Sequence, residues 1–245
     1  MLSFFNSKPV LKDLIPEGYV DIHSHLLPGI DDGAQSLDDT QSLIKEMQKM
    51  GFEQFITTPH TSQNVWDNTK AGIEAKLNGS LEALKTKGLN VPLKAASEYM
   101  MDGHFMSLFQ NEPLLVLKDN YVLVEISYIN PPLQLYDILF ELQLAGYQPV
   151  LAHPERYTFY HGRENDYQKL KQAGCLFQFN LLSATGYYGP EVAKMGDQLL
   201  KKGMIDFVGS DVHHQNHIQG FYKKIIIKSE LSLKEAIAQN QFFRF

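Results

Sequence analysis

Short segments rich in β-branched and aromatic residues alternate along the chain with longer stretches of helical periodicity. This alternation is typical of βαβ units, in which helices connect parallel strands. Most of the strand segments lack a strict alternation of polar and apolar residues, which indicates strands covered on both faces. The predicted strands are residues 19–23, 54–58, 92–96, 121–126, 148–152, 176–180 and 206–209.

Amphipathic stretches connect these strands and end near glycines, which readily adopt the left-handed conformation found after many helices. The first stretch has Ser36 as its N-cap and Gly51 as its stop. We expect the C-terminal segment to end in a short helix that packs on the outside of the fold. The other predicted helices are residues 68–87, 132–145, 164–173 and 190–202.

The length of 245 residues, without a linker or low-complexity segment, predicts a single domain. An apolar fraction of 44% and a charged fraction of 20% exclude a disordered or fibrous chain. The predicted architecture is an α/β barrel over residues 1–245. Within it, residues 1–17 form an N-terminal extension, residues 19–217 form the barrel, and residues 218–245 form a C-terminal segment.

Charge, hydropathy and cysteine content exclude several partners. The net charge of −6, without a run of basic residues, argues against a nucleic acid held through its phosphates. No segment approaches the roughly 18–20 apolar residues of a membrane span, and the amino terminus does not resemble a signal peptide. We therefore expect a cytoplasmic protein. The single cysteine, Cys175, lies in an apolar run and is predicted to be a buried, inert thiol.

Histidine and carboxylate residues lie where the predicted strands end. In a closed parallel barrel these ends meet on one rim, so residues distant in sequence converge. Because side chains alternate along an extended chain, His23 and His25 face the same side, as do Asp211 and His213. The candidate metal ligands are His23, His25, Asp32, His60, Glu98, Glu125, His153, Asp211 and His213.

Imidazole and carboxylate ligands without thiolate suit Mn²⁺, Fe²⁺ or Zn²⁺. Nine candidates exceed what one tetrahedral ion binds, so they predict two or three divalent ions. An isolated H-x-H is more often coincidence, but structural residues have no reason to gather at the ends of apolar strands. Arg156 follows His153 by three residues. Its planar guanidinium is suited to binding phosphate, and the alternative is that Arg156 is a solvated charge in a loop.

The motifs DIHSHLLPGIDDGAQSLDDT, TPH, SEY, VEIS, LAHPERY and SDVH, in this order, resemble those of the polymerase-and-histidinol-phosphatase superfamily of metal phosphoesterases. Over residues 19–217 the chain is most similar to the bacterial tyrosine-protein phosphatases of capsular and exopolysaccharide gene clusters. This resemblance implies a distorted (β/α)₇ barrel and a trinuclear site usually supplied with Mn²⁺. It also implies hydrolysis of phosphotyrosine on the tyrosine-rich tail of a bacterial tyrosine kinase.

The same resemblance implies how the ions are shared among the ligands. One ion would be bound by His23, His25, Glu98 and Asp211, a second by Glu98, Glu125 and His153, and a third by Asp32, His60 and His213. Arg156 matches an arginine placed near the substrate phosphate. Related sequences carry another arginine a few residues beyond D-x-H, where this chain has none, and we hypothesise that a protonated His214 or His217 replaces it.

The predicted reaction is attack of a metal-bound hydroxide on phosphorus, without a cysteine nucleophile. His60 or His213 would protonate the departing phenolate if either is not committed to metal. Three alternatives remain open: a small-molecule phosphatase, for instance on histidinol phosphate; a metal-dependent amidohydrolase, which commonly has a carboxylated lysine where this chain has Glu125; and a catalytically silent metal-binding or kinase-regulating module. The sequence does not reveal the oligomeric state.

Overall fold

The computed structural model describes residues 7–245, and within that range it contains nine strands and eight α-helices. The strands are β1 (Tyr19–Asp21), β2 (Phe52–Thr57), β3 (His60–Thr61), β4 (Leu93–Ala95), β5 (Glu98–Met100), β6 (Tyr121–Glu125), β7 (Gln148–Ala152), β8 (Leu176–Asn180) and β9 (Phe207–Gly209). The helices are α1 (Leu37–Gln48), α2 (Lys70–Thr86), α3 (Gly103–Asn111), α4 (Leu135–Leu144), α5 (Glu164–Gln172), α6 (Pro190–Lys201), α7 (Gln215–Phe221) and α8 (Glu230–Gln239). Every predicted strand and helix is present, with bounds that differ by a few residues.

Residues 1–6 of the predicted N-terminal extension lie outside the described residues. The remainder of the extension contains a short 3₁₀ helix, Leu11–Leu14, whose two leucines are buried. The amide of Leu11 donates a hydrogen bond to the carbonyl of Lys223, which ties the extension to the C-terminal segment. Among residues 7–245, no helix combines the length and the hydropathy needed to cross a membrane.

All strands are parallel and form two sheets, with the orders β1-β2-β4 and β3-β5-β6-β7-β8-β9. β2 continues into β3, and β4 into β5, each after a break of two residues, so each pair is one strand that changes sheet. Pro59 lies in the first break and has no N–H to donate. Its carbonyl oxygen accepts hydrogen bonds from the Glu98 amide at 3.1 Å and the Ser97 hydroxyl at 2.8 Å. The predicted segments 54–58 and 92–96 correspond to β2 and β4 alone.

The two sheets meet again where β1 lies beside β9. Just beyond the carboxyl ends of these strands, the Asp211 amide donates to the His23 carbonyl at 2.7 Å. Along the strands themselves, the buried side-chain amide of Asn240 takes the place of direct backbone bonds. It donates to the Val20 carbonyl at 3.1 Å and accepts from the Val208 amide at 3.1 Å. A side chain from the C-terminal segment therefore joins β1 to β9.

A central apolar cluster receives side chains from β1, β2, β6, β7 and β9. Phe243, from the end of the chain, also belongs to this cluster, with 1% of its surface exposed and its ring 4.8 Å from that of Phe207. The predicted C-terminal helix is present as α8, and Phe243 follows it and places its ring in the core between the strands. Helical periodicity does not reveal such an insertion, since it describes only α8.

The predicted start and stop of α1 are confirmed. The Ser36 hydroxyl accepts from the Asp39 amide at 3.2 Å, and the Asp39 carboxylate accepts from the Ser36 amide at 3.0 Å. Such a cap stabilises a helix by about 1 kcal/mol. Gly51 has a φ of +101°, and a Cβ there would lie 2.8 Å from the Pro16 carbonyl oxygen, so both conformation and space require glycine. The short helices α3 and α7 were not predicted.

Candidate metal centre

The structure brings all nine predicted metal ligands together at the carboxyl ends of the strands. They form four overlapping groups, and within each group the ligand atoms lie within 4.8 Å of one another. The groups are His25, Asp32, His60 and His213; His23, Glu98 and His153; His23, His25 and Asp211; and His60, Glu98 and Glu125. Glu125 is therefore grouped with His60, a combination that differs from the one implied by the resemblance. The role of the nine residues as ligands stays a prediction.

Two of these residues have an unusual backbone conformation. His153 directly follows β7 with a φ of +37°, and Asp211 lies two residues beyond β9 with a φ of +50°. Left-handed conformations are uncommon for residues other than glycine, and they cost on the order of 1–3 kcal/mol where they persist. The surrounding fold must offset this cost. The left-handed turns direct the side chains of His153 and Asp211 into the cluster.

Glu98 lies at the centre of the cluster and is completely buried. Its Oε2 lies 3.2 Å from His23 Nε2 and 3.2 Å from His60 Nδ1, and its Oε1 lies 3.0 Å from His153 Nε2. Glu98 therefore belongs to two of the four groups of candidate ligands.

Opposite charges outweigh burial in setting several pKa values here. Burial opposes the charged form of His23, but the carboxylates of Glu98 and Asp211 raise its pKa to about 10. Burial likewise opposes ionisation of Glu98, yet His23 and His60 hold the pKa of this carboxyl well below its usual range. In contrast, burial and the nearby Arg156 lower the pKa of His153 to about 4. The cluster therefore concentrates charges of both signs, and most of the side chains that carry them are buried.

A second layer of polar residues orients the imidazoles. His25 Nδ1 lies 2.8 Å from the Asp31 carboxylate, and His23 Nδ1 lies 2.7 Å from Gln178 Oε1. Each contact requires the proton on Nδ1, which leaves Nε2 free to bind a metal ion. Sequence reasoning missed both partners. The sequence contains a hint of each partner. Asp31 is the first aspartate of the D-D-G motif, and Gln178 is the one polar residue among the first four residues of β8.

A cavity of about 270 Å³ opens over the cluster. We call it the catalytic cavity; His60, His153, His213, Tyr128, Arg156 and Tyr188 line it. One Arg156 nitrogen donates to Asp211 at 2.8 Å, and the guanidinium lies 4.1 Å from the centre of the Tyr188 ring and 5.0 Å from that of Tyr128. Both Asp211 and the tyrosine rings favour the cationic form of Arg156. The arginine is thus held between two aromatic rings at the wall of the cavity.

The contacts of His217 disfavour the hypothesis that this residue, in its protonated form, replaces the missing arginine. His217 Nδ1 accepts a hydrogen bond from the His213 amide at 3.1 Å, so that nitrogen carries no proton. Burial and the neighbouring His213 lower the pKa of His217 to about 3. Burial and His213 also lower the pKa of His214 below its ordinary value. Neither imidazole is a fixed cation at neutral pH, and among residues 7–245 Arg156 is the one arginine or lysine that lines this cavity.

The donor set of the cluster fits divalent metal ions. It consists of imidazole nitrogens and carboxylate oxygens, which are the ligands of Mn²⁺, Fe²⁺ and Zn²⁺ sites. His60 Nδ1 is buried and lies 3.2 Å from Glu98 Oε2 and 2.9 Å from Glu125 Oε1, but among residues 7–245 no contact of this atom has the geometry of a hydrogen bond. A buried polar atom without a partner is costly in a folded protein, and a metal ion would satisfy it.

A family model and several known proteins are similar to this chain over most of its length. A family model for capsular polysaccharide synthesis, CpsB/CapC, matches residues 19–238. The tyrosine-protein phosphatase YwqE of Bacillus subtilis is 28% identical over 196 residues, which cover 80% of this chain and 77% of that protein. The putative tyrosine-protein phosphatase CapC of Staphylococcus aureus is 27% identical over 195 residues, covering 79% and 76%.

Solved structures extend the likeness to the fold. One, from work on YwqE of Bacillus subtilis and CpsB of Streptococcus pneumoniae, described as unique metal-dependent tyrosine phosphatases, superposes with a TM-score of 0.77 at 26% identity. The match covers 88% of this chain and 86% of that chain. Histidinol phosphate phosphatase from Lactococcus lactis superposes with a TM-score of 0.54 at 14% identity, covering 89% and 93%, a likeness of fold alone.

Proposed function

This chain belongs to the CpsB/CapC family of capsular polysaccharide synthesis, and from this premise we propose that it is a metal-dependent protein-tyrosine phosphatase. Relatives from Bacillus subtilis and Streptococcus pneumoniae are named tyrosine-protein phosphatases. The observation that carries the proposal is the convergence of nine imidazole and carboxylate side chains below a cavity that also contains Arg156. Such a site activates water and binds phosphate without a protein nucleophile.

We infer that the two sheets form one distorted (β/α)₇ barrel in a single domain of residues 1–245. Three observations support this inference. The split strands β2–β3 and β4–β5 each count as one, which leaves seven strands. The Asp211 amide and the Asn240 side chain connect β9 to β1. The central apolar cluster, finally, receives side chains from strands of both sheets.

We propose that the cluster binds two or three divalent ions and that Mn²⁺ is the native metal, with Fe²⁺ or Zn²⁺ as alternatives. The four overlapping groups offer more donors than one ion accepts. Four of the nine residues are carboxylates, a proportion that suits Mn²⁺ better than a site made of imidazole alone. Glu98 is the residue we expect to bridge two ions, because it belongs to two groups.

Bound divalent ions lower the pKa of a coordinated water and neutralise charge on the phosphate. The chain's own residues bind and orient that phosphate. Arg156 contacts Asp211 through one nitrogen, and its remaining N–H groups are the donors we propose for the phosphate oxygens. His60 and His213 line the same cavity, and the assignment of either as the acid that protonates the departing phenolate stays a prediction.

The proposed substrate is phosphotyrosine on the tail of a bacterial tyrosine kinase that regulates capsular or extracellular polysaccharide synthesis. The test compares turnover of a phosphotyrosyl peptide, histidinol phosphate and p-nitrophenyl phosphate by the metal-loaded protein. We expect the peptide to be the best substrate. Preferential turnover of histidinol phosphate would favour a small-molecule phosphatase. Bound metal without turnover of any phosphoester would favour a regulatory module.

Cys175 is expected to be dispensable, so that Cys175→Ser retains the wild-type rate within about twofold. The thiol is fully buried, and burial raises its pKa to about 12. Cys175 also lies at the amino end of β8, whereas the cluster lies at the carboxyl ends of the strands. The rate of p-nitrophenyl phosphate hydrolysis with and without iodoacetamide measures this. A large loss in a folded, metal-loaded variant would show that the thiol takes part.

Tyr188 is expected to position Arg156 through its ring. For Tyr188→Leu we expect KM for a phosphotyrosyl peptide to rise about tenfold while kcat changes less, because the guanidinium loses an aromatic face. Tyr188→Phe retains the ring and gives up only the hydroxyl that accepts from Asn180 Nδ2 at 3.2 Å. It should therefore remain close to wild type. Equal KM values for the two variants would show that the ring does not position Arg156.

A further inference from the structure

The two carboxylate oxygens of the candidate ligand Asp211 have different surroundings. Its Oδ1 lies 3.2 Å from His23 Nε2 and 3.4 Å from His25 Nε2, which places this oxygen inside the cluster. Its Oδ2 instead accepts hydrogen bonds from Arg156 and from the side-chain amide of Asn180, each at 2.8 Å. One oxygen is therefore directed to the proposed metal site, and the other is held by two neighbouring side chains.

Asn180 is the last residue of β8 and is completely buried. Its Oδ1 accepts from the Leu182 amide at 2.9 Å and so caps the 3₁₀ helix Leu181–Thr185. Its backbone amide donates to Glu155 Oε1 at 3.0 Å. Because Oδ1 faces an N–H donor and Nδ2 faces a carboxylate, the amide has one favourable orientation. Asn180 therefore directs an N–H donor at Asp211 from a fixed position.

The ion pair between Arg156 and Asp211 runs through a single nitrogen. An arginine beside a carboxylate often forms two parallel hydrogen bonds instead, one to each oxygen. A bidentate pair here would turn Oδ1 of Asp211 away from the two imidazoles and engage a second nitrogen of Arg156. The bond from Asn180 to Oδ2 opposes this rotation, because the carboxylate would have to give up a buried donor.

We propose that Asn180 is a positioning residue that acts through Asp211 on both metal binding and phosphate binding. This inference rests on the proposed phosphatase function and adds a residue that lies outside the motifs of the family resemblance. By holding Oδ2, Asn180 keeps Oδ1 directed to the side of the cluster where His23 and His25 lie. It also leaves the remaining N–H groups of Arg156 to the phosphate oxygens.

The test uses Asn180→Ser and Asn180→Ala, which both remove the donor to Asp211. Serine retains an oxygen that can cap the 3₁₀ helix, so alanine should lower the unfolding temperature further than serine does. In calorimetric titrations of the metal-free proteins with Mn²⁺, we expect both variants to bind at least one ion about ten- to a hundredfold more weakly than wild type. At saturating Mn²⁺, KM for p-nitrophenyl phosphate should rise about fivefold while kcat changes less, because Asp211 draws a second nitrogen of Arg156 away from the phosphate.

Ser183→Ala is the matched control, because Ser183 is buried in the same 3₁₀ helix and donates to Glu155 Oε1 at 2.7 Å, but has no hydrogen bond to Asp211. It should lower the unfolding temperature and retain the Mn²⁺ affinity and KM of wild type. Wild-type Mn²⁺ affinity in both Asn180 variants, or an equal loss in Ser183→Ala, would overturn the inference. If the wild-type protein binds Mn²⁺ but hydrolyses no phosphoester, the proposed phosphatase function is wrong, and the Mn²⁺ titration alone supports or overturns the role of Asn180.

Discussion

Removal of bound divalent metal is expected to abolish hydrolysis of p-nitrophenyl phosphate and of phosphotyrosyl peptides, with a loss on the order of a thousandfold or more. The reason is that the cavity offers no cysteine nucleophile, since the single cysteine is buried away from the cluster. Addition of Mn²⁺ to the metal-free protein should restore the rate. The measurement combines dialysis against a chelator, metal analysis and initial rates before and after the metal is returned.

His23→Ala is expected to behave as the chelated enzyme does, because His23 belongs to two of the four groups of candidate ligands. The matched control is His104→Ala, which removes an exposed imidazole from α3 and should leave the rate unchanged. Circular dichroism of each sample separates loss of metal from loss of fold. Substantial activity in protein shown to be free of metal would contradict the proposed chemistry.

The location of the site was predictable because it depends on strand ends alone. Parallel strands connected by helices bring their carboxyl ends to the same edge. Polar residues that follow apolar strands, such as Glu98 and His153, therefore approach each other although 55 residues separate them. The two-residue spacing of His23 and His25 needs only the alternation of side chains along an extended chain. These rules require only parallel strands and the alternation of side chains, and they do not depend on which distant side chains pack together.

The orienting contacts were not predictable, because each depends on how distant side chains pack. Gln178 contacts His23 across 155 residues, and nothing in the β8 segment indicates which imidazole it meets. Tyr128 and Tyr188 come from two different loops and converge only on Arg156. Aromatic residues in loops are usually part of the core or rim, so composition alone does not distinguish this pair.

The contact between β1 and β9 could not be predicted from the sequence for a different reason. A strand pattern predicts backbone ladders, whereas here the Asn240 amide bonds to Val20 on one strand and to Val208 on the other. A single asparagine near the end of a chain carries no periodic signal. The strands β3 and β5, of two and three residues, were missed because so short a segment has too few residues for a pattern.

Glu98→Gln is expected to reduce kcat/KM by on the order of a thousandfold and to lower the metal content of the purified protein. The substitution preserves the size of a side chain that is completely buried, so packing around it changes little. It removes the negative charge and replaces one of the carboxylate oxygens proposed to bind metal with an amide nitrogen, which cannot act as a ligand. Since Glu98 belongs to two groups, one substitution should weaken binding of two ions.

The control for this change is Glu112→Gln, which alters an exposed carboxylate after α3 and should retain both metal and activity. Calorimetric titration of the metal-free variant with Mn²⁺ distinguishes two origins of the lost activity. If Glu98 bridges two ions, Glu98→Gln should bind fewer ions than wild type and should not recover its rate at high Mn²⁺ concentration. If Glu98 only orients His23, His60 and His153, the variant should bind the full number of ions more weakly and recover when Mn²⁺ is in excess. A variant with wild-type metal content and a wild-type rate would remove Glu98 from the proposed site.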